Sequence, residues 1–276
     1  MSPLWRDEVG VYLSPHRLCL VRMKRGLRPV MAAEHELRFE AVKGDSWSAP
    51  LAALDKLLAE GAWSGAHTRV VIADHWVRYA IVPWAAALSS ADERSAHGRQ
   101  ILAGLFGEAV AGWDVRVSDA PPGANRIACA VPPELLARLS AAATANGATL
   151  LSLQPQLIAA YETWRHCLPP SNAWFVSIEQ GSMAAARVGR NGWDRVHGVR
   201  IDADWLRELK RLQTFSRLAS HNPQDGRVYV DAPHAWREVA AGTPGGADGG
   251  ALEWLEEPSG PLTTLQRLGR SRRMAA

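Results

Sequence analysis

Two short apolar runs, Val9 to Leu13 and Leu18 to Val21, flank Ser14-Pro15-His16-Arg17. They predict a β-hairpin, because β-branched and apolar residues favour strands while Ser and Pro favour the turn between them. Pro29 to Phe39 continues as a third strand, which Glu34, His35 and Glu36 make polar enough for a sheet edge. The period then changes. Ser48 to Glu60 carries leucines at 51, 54, 57 and 58, the spacing of an amphipathic helix, with Ser48 as its cap, Pro50 in the first turn and Gly61 as its stop. Arg69 to Ala73 is short and continuously apolar, as a strand buried on both faces is, and Val77 to Val82 follows after Asp74-His75-Trp76.

Pro83 opens a different region. Ser90 to Glu93 is a capping-box start, and apolar residues recur at 101, 102, 105, 106 and 109 down to Gly112, predicting a long helix. Strands are predicted at Trp113 to Val117 and Arg126 to Val131, around a loop at Pro121-Pro122-Gly123. Pro132-Pro133-Glu134 starts a helix with leucines at 135, 136 and 139 that ends at Asn146-Gly147, residues suited to left-handed backbone angles. Leu150 to Leu153 is a strand, and Pro155 leads into a helix through Trp164.

The form of the first hairpin then returns. Ala173 to Glu179 and Ser182 to Val188 flank a turn at Gln180-Gly181-Ser182, and Asn191-Gly192 turns the chain into a third run, Trp193 to Ile201. A helix capped by Asp202 or Asp204 carries Trp205, Leu206, Leu209, Leu212, Phe215 and Leu218 on its apolar stripe. Asn222 to Gly226 breaks it, Arg227 to Val230 is a strand, His234 to Ala240 a short helix, and Leu252 to Leu255 a last strand. Three strands, a helix and a strand thus occur twice. The smaller helix-strand-strand-helix-strand group sits between the two repeats.

Composition adds bounds to this picture. The 276 residues are 47% apolar and 21% charged, enough for a sizeable core. A net charge of +3 is too small for a polyphosphate-binding surface, which excludes nucleic acid as the expected partner. The one local bias is the tail, with Arg267, Arg270, Arg272 and Arg273, read as a solvated end. Cys19, Cys129 and Cys167 have no paired spacing and read as small core residues in a reducing compartment. No run of about 18 apolar residues occurs and the first residues lack a signal-peptide core, so the expected location is the cytoplasm.

The order of elements resembles the actin-like ATPase fold, an α/β architecture of two ribonuclease-H-like halves with a small α/β insertion in the first. Within it the chain resembles the PilM branch, the cytoplasmic component of type IV pilus assembly, which is similar to the cytoplasmic domain of the type II secretion protein GspL. The residues that carry this are Val77 to Val82 with Pro83-Trp84 before Asp92-Glu93, then Ile127 to Leu136, then Asn146-Gly147 through Tyr161. The resemblance covers roughly residues 8 to 240. It implies a first half over 1–168 with an insertion at about 83–153, and a shortened second half with a basic tail over 169–276.

In nucleotide-binding relatives both hairpins are phosphate loops of small residues with an acid that manages magnesium, since phosphate oxygens need close approach of backbone. Here Tyr12 stands where the family carries an acid, and Pro15 removes a backbone donor. The second hairpin keeps Glu179, Gly181 and Ser182, the candidate residual nucleotide contacts. Asp231-Ala232-Pro233-His234 replaces the glycine pair that supports adenosine. The resemblance therefore implies a pseudo-ATPase scaffold, peripheral to the inner membrane, with no cofactor and no catalytic or metal residues. Its partner would be the N-terminal cytoplasmic segment of a single-pass inner-membrane protein, laid beside the insertion. The alternative is an active ATPase of the same fold that uses ATP with magnesium at the second hairpin.

Other candidates have plainer readings. Asp74-His75 could pair as acid and base, but adjacent strand residues point to opposite faces, so a strand-end turn is expected. The nine histidines show no metal-ligand spacing. The glycine run from Gly242 to Gly250 lacks the lysine of a phosphate loop and reads as a plain loop. Of twelve tryptophans, Trp76, Trp84, Trp113 and Trp193 fall at strand ends, where full burial is not expected and aromatic residues can anchor protein contacts.

Overall fold

β1 (Glu8–Leu13) and β2 (Arg17–Lys24) form the antiparallel hairpin that the apolar runs predict, with Leu13 opposite Leu18 at its closed end. The computed structural model describes residues 7–24, 30–40, 47–170, 172–201, 204–219, 227–233, 236 and 252–255. The chain continues through β3 (Val30–Arg38), α1 (Ser48–Ala59), β4 (His67–Ile72), a 3-10 turn (Asp74–Trp76), β5 (Arg78–Val82), α2 (Ala91–Phe106), β6 (Asp114–Val117) and β7 (Arg126–Val131). It then runs α3 (Pro133–Ala145), β8 (Leu150–Pro155), α4 (Gln156–Trp164), β9 (Ala173–Glu179), β10 (Ser182–Gly189), β11 (Gly192–Arg200), α5 (Trp205–Ala219), β12 (Arg227–Asp231) and β13 (Leu252–Trp254). These elements form two compact units. One gathers the described residues of Met1–Ala73 and Pro133–Thr163, the other those of Asp74–Pro132 and Trp164–Pro261.

In the first unit the sheet order is β3-β2-β1-β4-β8, antiparallel from β3 to β1 and parallel from β1 to β8. β1 lies between two neighbours and is buried along its whole length, while β3, the polar strand, is the edge. α1 buries Leu51, Leu54, Leu57 and Leu58 and packs on β2 and α3, and α3 packs on β8. Ser48 is the first residue of α1 rather than its cap; Trp47 holds the cap position and its side chain does not cap the helix.

In the second unit the main sheet order is β11-β10-β9-β12-β13, again antiparallel over the first three strands and parallel beyond. The repeat seen in the sequence is therefore a repeat of strand pairing. Even the irregularity recurs, as a register shift after Arg22 in β2 and after Arg187 in β10. α5 seats Trp205, Leu206, Leu209 and Leu212 on Trp174, Val176, Ile178, Met183, Val228 and Val230 of the sheet.

A separate antiparallel sheet, β5-β7-β6, belongs to the same unit and carries α2 on one face. Leu102, Val110, Ala80, Val82, Val115, Ala128 and Ala130 form its core. α2 opens with the predicted capping box, Glu93 N–H donating to Ser90 Oγ at 3.1 Å and Ser90 N–H donating to Glu93 Oε2 at 2.9 Å. α2 approaches closely at Gly98, where an added Cβ would lie 2.9 Å from Val117 Cγ2.

Two parts of the insertion fall elsewhere than the element order implies. α3 and β8 were expected inside it, yet β8 pairs with β4 and α3 packs against α1, on the first sheet. β5, which the element order places just before the insertion, is an edge of the small sheet. A short apolar run states that a strand is buried and leaves its partner open, because the partner is chosen by non-local pairing. The predicted helix at 234–240, the glycine run at 242–250, the basic tail and Asp202 fall in residues other than those described, apart from Trp236.

β11 also carries a pH effect. Burial first, and then the Arg195 guanidinium, lower the pKa of the half-buried His197 below 6.5. The unfolded chain then binds more protons than the folded one below that value, so this contribution to stability falls as the pH falls. The melting temperature is expected to drop between about pH 7.5 and about pH 5.5, and to drop less in His197→Gln; an identical drop in the variant would exclude His197 as a cause.

Candidate functional site

The first hairpin closes on itself. Ser14 N–H donates to the Arg17 carbonyl at 2.8 Å and Ser14 Oγ donates to the same oxygen at 3.2 Å. The His16 N–H in turn donates to Ser14 Oγ at 3.3 Å, and Pro15 has no N–H to offer. Burial lowers the His16 pKa, so the imidazole is held toward its neutral form. Tyr12 is buried with Cys19, Val21, Met23 and Val71, and Ala159 of α4 packs against them. Alternation along β1 puts Tyr12 in this apolar cluster.

The second hairpin is built differently. β9 and β10 pair up to Glu179 opposite Ser182, leaving Gln180-Gly181 as a two-residue turn in which Gly181 has φ +81°. Glycine takes that angle without the Cβ penalty of other residues. Trp174, Val176 and Ile178 of β9 face α5, so strand alternation sends Ser177 and Glu179 to the opposite face. Glu179 and Ser182 are both buried there, at 7% and 3% exposure. Glu179 Oε2 accepts the Ser182 hydroxyl at 3.3 Å and the backbone N–H of Asp74 at 3.0 Å.

Asp74 therefore belongs to this cluster and not to a pair with His75. Its carboxylate accepts the Tyr79 hydroxyl through Oδ1, while the half-buried His75 ring packs edge-on against Trp76, 6.4 Å between centroids. Burial first, and then the Asp74 carboxylate, hold the Tyr79 phenol well above its usual range, so it stays a donor. Sequence reading missed Tyr79. The available signal was a tyrosine in an otherwise aliphatic strand, whose hydroxyl must find a partner once buried. Asp231 is also buried and accepts the Trp164 indole N–H at 3.1 Å.

The remaining candidates separate by burial. Cys19 is buried, and burial pushes its thiol up to about 12; Cys129 faces Tyr79 across β5 and β7 with its thiol raised by burial. Cys167 is exposed, contrary to its expected core position, because it falls in the 3-10 turn after α4. Trp76 is buried after all, Trp113 and Trp193 are half-buried, and Trp84 is 43% exposed.

No protein-family model matches the sequence, and no curated protein sequence matches it. Solved structures do match in shape. A chain of the PilM–PilN type IV pilus biogenesis complex is 16% identical with a TM-score of 0.67, covering 98% of each chain. The cytoplasmic domain of EpsL, an inner-membrane component of the type II secretion system of Vibrio cholerae, is 14% identical with a TM-score of 0.58, covering 98% of this chain and 96% of that one. A Bacteroides thetaiotaomicron protein of unknown function is 12% identical with a TM-score of 0.64, covering 98% and 99%. Identities this low carry the fold alone, and the fold, with its twice-repeated strand pairing, is the actin-like ATPase fold.

Proposed function

We propose that this chain is a cytoplasmic scaffold component of an inner-membrane platform of the type IV pilus or type II secretion kind, and that it works without turning over nucleotide. The likeness in shape, over nearly all of both chains, to a chain of the PilM–PilN complex and to the cytoplasmic domain of EpsL supports the first part. The observation that carries the second is the first hairpin, whose Ser14 amide and hydroxyl are both spent on the Arg17 carbonyl and whose acid position is an apolar-packed Tyr12. Those groups do not fit a magnesium-bound phosphate. In this reading the partner is the short cytoplasmic N-terminal segment of a single-pass inner-membrane protein, which also brings the chain to the membrane. No helix among the described residues is long and apolar enough to cross a membrane.

The second reading, an active ATPase, is favoured by one observation: Glu179, Gly181 and Ser182 stand together at the hairpin that the fold uses. The test has two arms. Isothermal titration of the protein with Mg-ATP is expected to show no binding tighter than about 10 μM, or about −7 kcal/mol. Tighter binding, with hydrolysis that falls in Glu179→Ala, would establish the ATPase instead. Membrane fractions from native cells are expected to release the chain together with a single-pass inner-membrane protein, and its recovery free of any such protein counts against the scaffold.

A further inference from the structure

The small sheet β5-β7-β6 and the β9–β10 hairpin lie in one unit, and a set of polar contacts joins them. Asp74, at the entry to β5, donates its N–H to Glu179 Oε2 at 3.0 Å; Tyr79 of β5 donates its hydroxyl to Asp74 Oδ1; Ser182 of β10 donates to Glu179 Oε2. The Tyr79 ring also lies against β11, since a Cβ added at Gly198 would sit 3.8 Å from Tyr79 Cδ2. At the far end of β5, Asn125 donates its N–H to the Asn191 carbonyl at 2.7 Å and accepts the Trp84 N–H at 3.1 Å.

We infer that Tyr79, Asp74, Glu179 and Ser182 form a strut that fastens the small sheet to the β9–β10 hairpin, with Tyr79 as the positioning residue for Asp74. All four are at least nine-tenths buried. In that setting each member's partner matters, because a buried donor or acceptor that loses its bond carries the full desolvation cost. Tyr79 anchors Asp74 through its carboxylate while the Asp74 N–H bonds Glu179, so the one residue links β5 to the hairpin. The acid retained in the second hairpin is thereby spent on holding two sheets together. This role for Glu179 rests on the reading without nucleotide turnover; the bonds themselves do not.

Hydrogen exchange on the full chain tests the strut, because the Asp74 amide is itself the donor. In Tyr79→Phe, which removes one oxygen, the amides of Asp74 and of residues 177–183 are expected to exchange at least about tenfold faster, while those of β1 and β2 keep their rates. Glu179→Gln is expected to raise the same amides, and the double variant to add nothing beyond the larger single effect. Faster exchange confined to β5, or single effects that multiply in the double variant, overturns the strut. If Glu179→Gln fails to fold, the response of residues 177–183 in Tyr79→Phe decides alone. Addition of Mg-ATP separates the two readings: protection of residues 177–183 with the coupling intact sinks only the absence of nucleotide binding, and loss of coupling without such protection sinks only the strut.

Discussion

Trp205→Ala is expected to cost about 3–5 kcal/mol, enough to threaten a domain whose total stability is about 5–15 kcal/mol. Trp205 is fully buried and stands at the first turn of α5, where it shares a core with Trp174, Val176 and Val228 and meets the Trp254 ring edge-on, 5.9 Å between centroids and 81° between planes. Truncation leaves a cavity between helix and sheet that these β-strand residues are too constrained to fill. Its indole N–H has no hydrogen-bond partner among the described residues. Trp205→Phe therefore removes an unsatisfied donor along with part of the volume, and is expected to cost well under half as much. Urea unfolding of both variants checks this, and equal losses would show that the orphaned donor is of no consequence.

Gly192→Val is expected to cost about 3 kcal/mol and to loosen the small sheet from the second one. Gly192 has φ +82°, and a Cβ there would lie 2.9 Å from the Asn125 backbone oxygen, an atom that cannot swing aside. The valine must leave the left-handed region or push the 118–126 loop away, and either breaks the Asn125 to Asn191 bond. Limited proteolysis is expected to cut that loop in the variant and spare it in the native protein. Gly104→Ala is the control, since nothing lies within 4 Å of its added Cβ and alanine favours a helix interior. A resistant Gly192→Val loop would show that the Asn125 to Asn191 bond does not hold the small sheet.

The repeated strand pattern was legible because short runs rich in apolar residues form the strands and turn residues mark their ends; both are local properties. So were the capping box at Ser90 and Glu93 and the polar edge strand β3. The candidate site was half legible. Glu179, Gly181 and Ser182 could be named from the hairpin, but Tyr79 and the backbone of Asp74 could not, because Asp74 and Glu179 meet across 105 positions of chain. Which sheet β8 and β5 join was not legible, since each had two possible sheets and only non-local pairing chose between them.

By itself the amino-acid sequence determined most of the elements, the doubling of the unit and the Tyr12, Pro15 and His16 of the first hairpin, because each depends on residues within a few positions of one another. The tertiary structure alone decided which backbone group Glu179 meets: a carboxylate at a strand end can turn to water or to protein, and non-local packing sets the Asp74 amide beside it across 105 positions of chain.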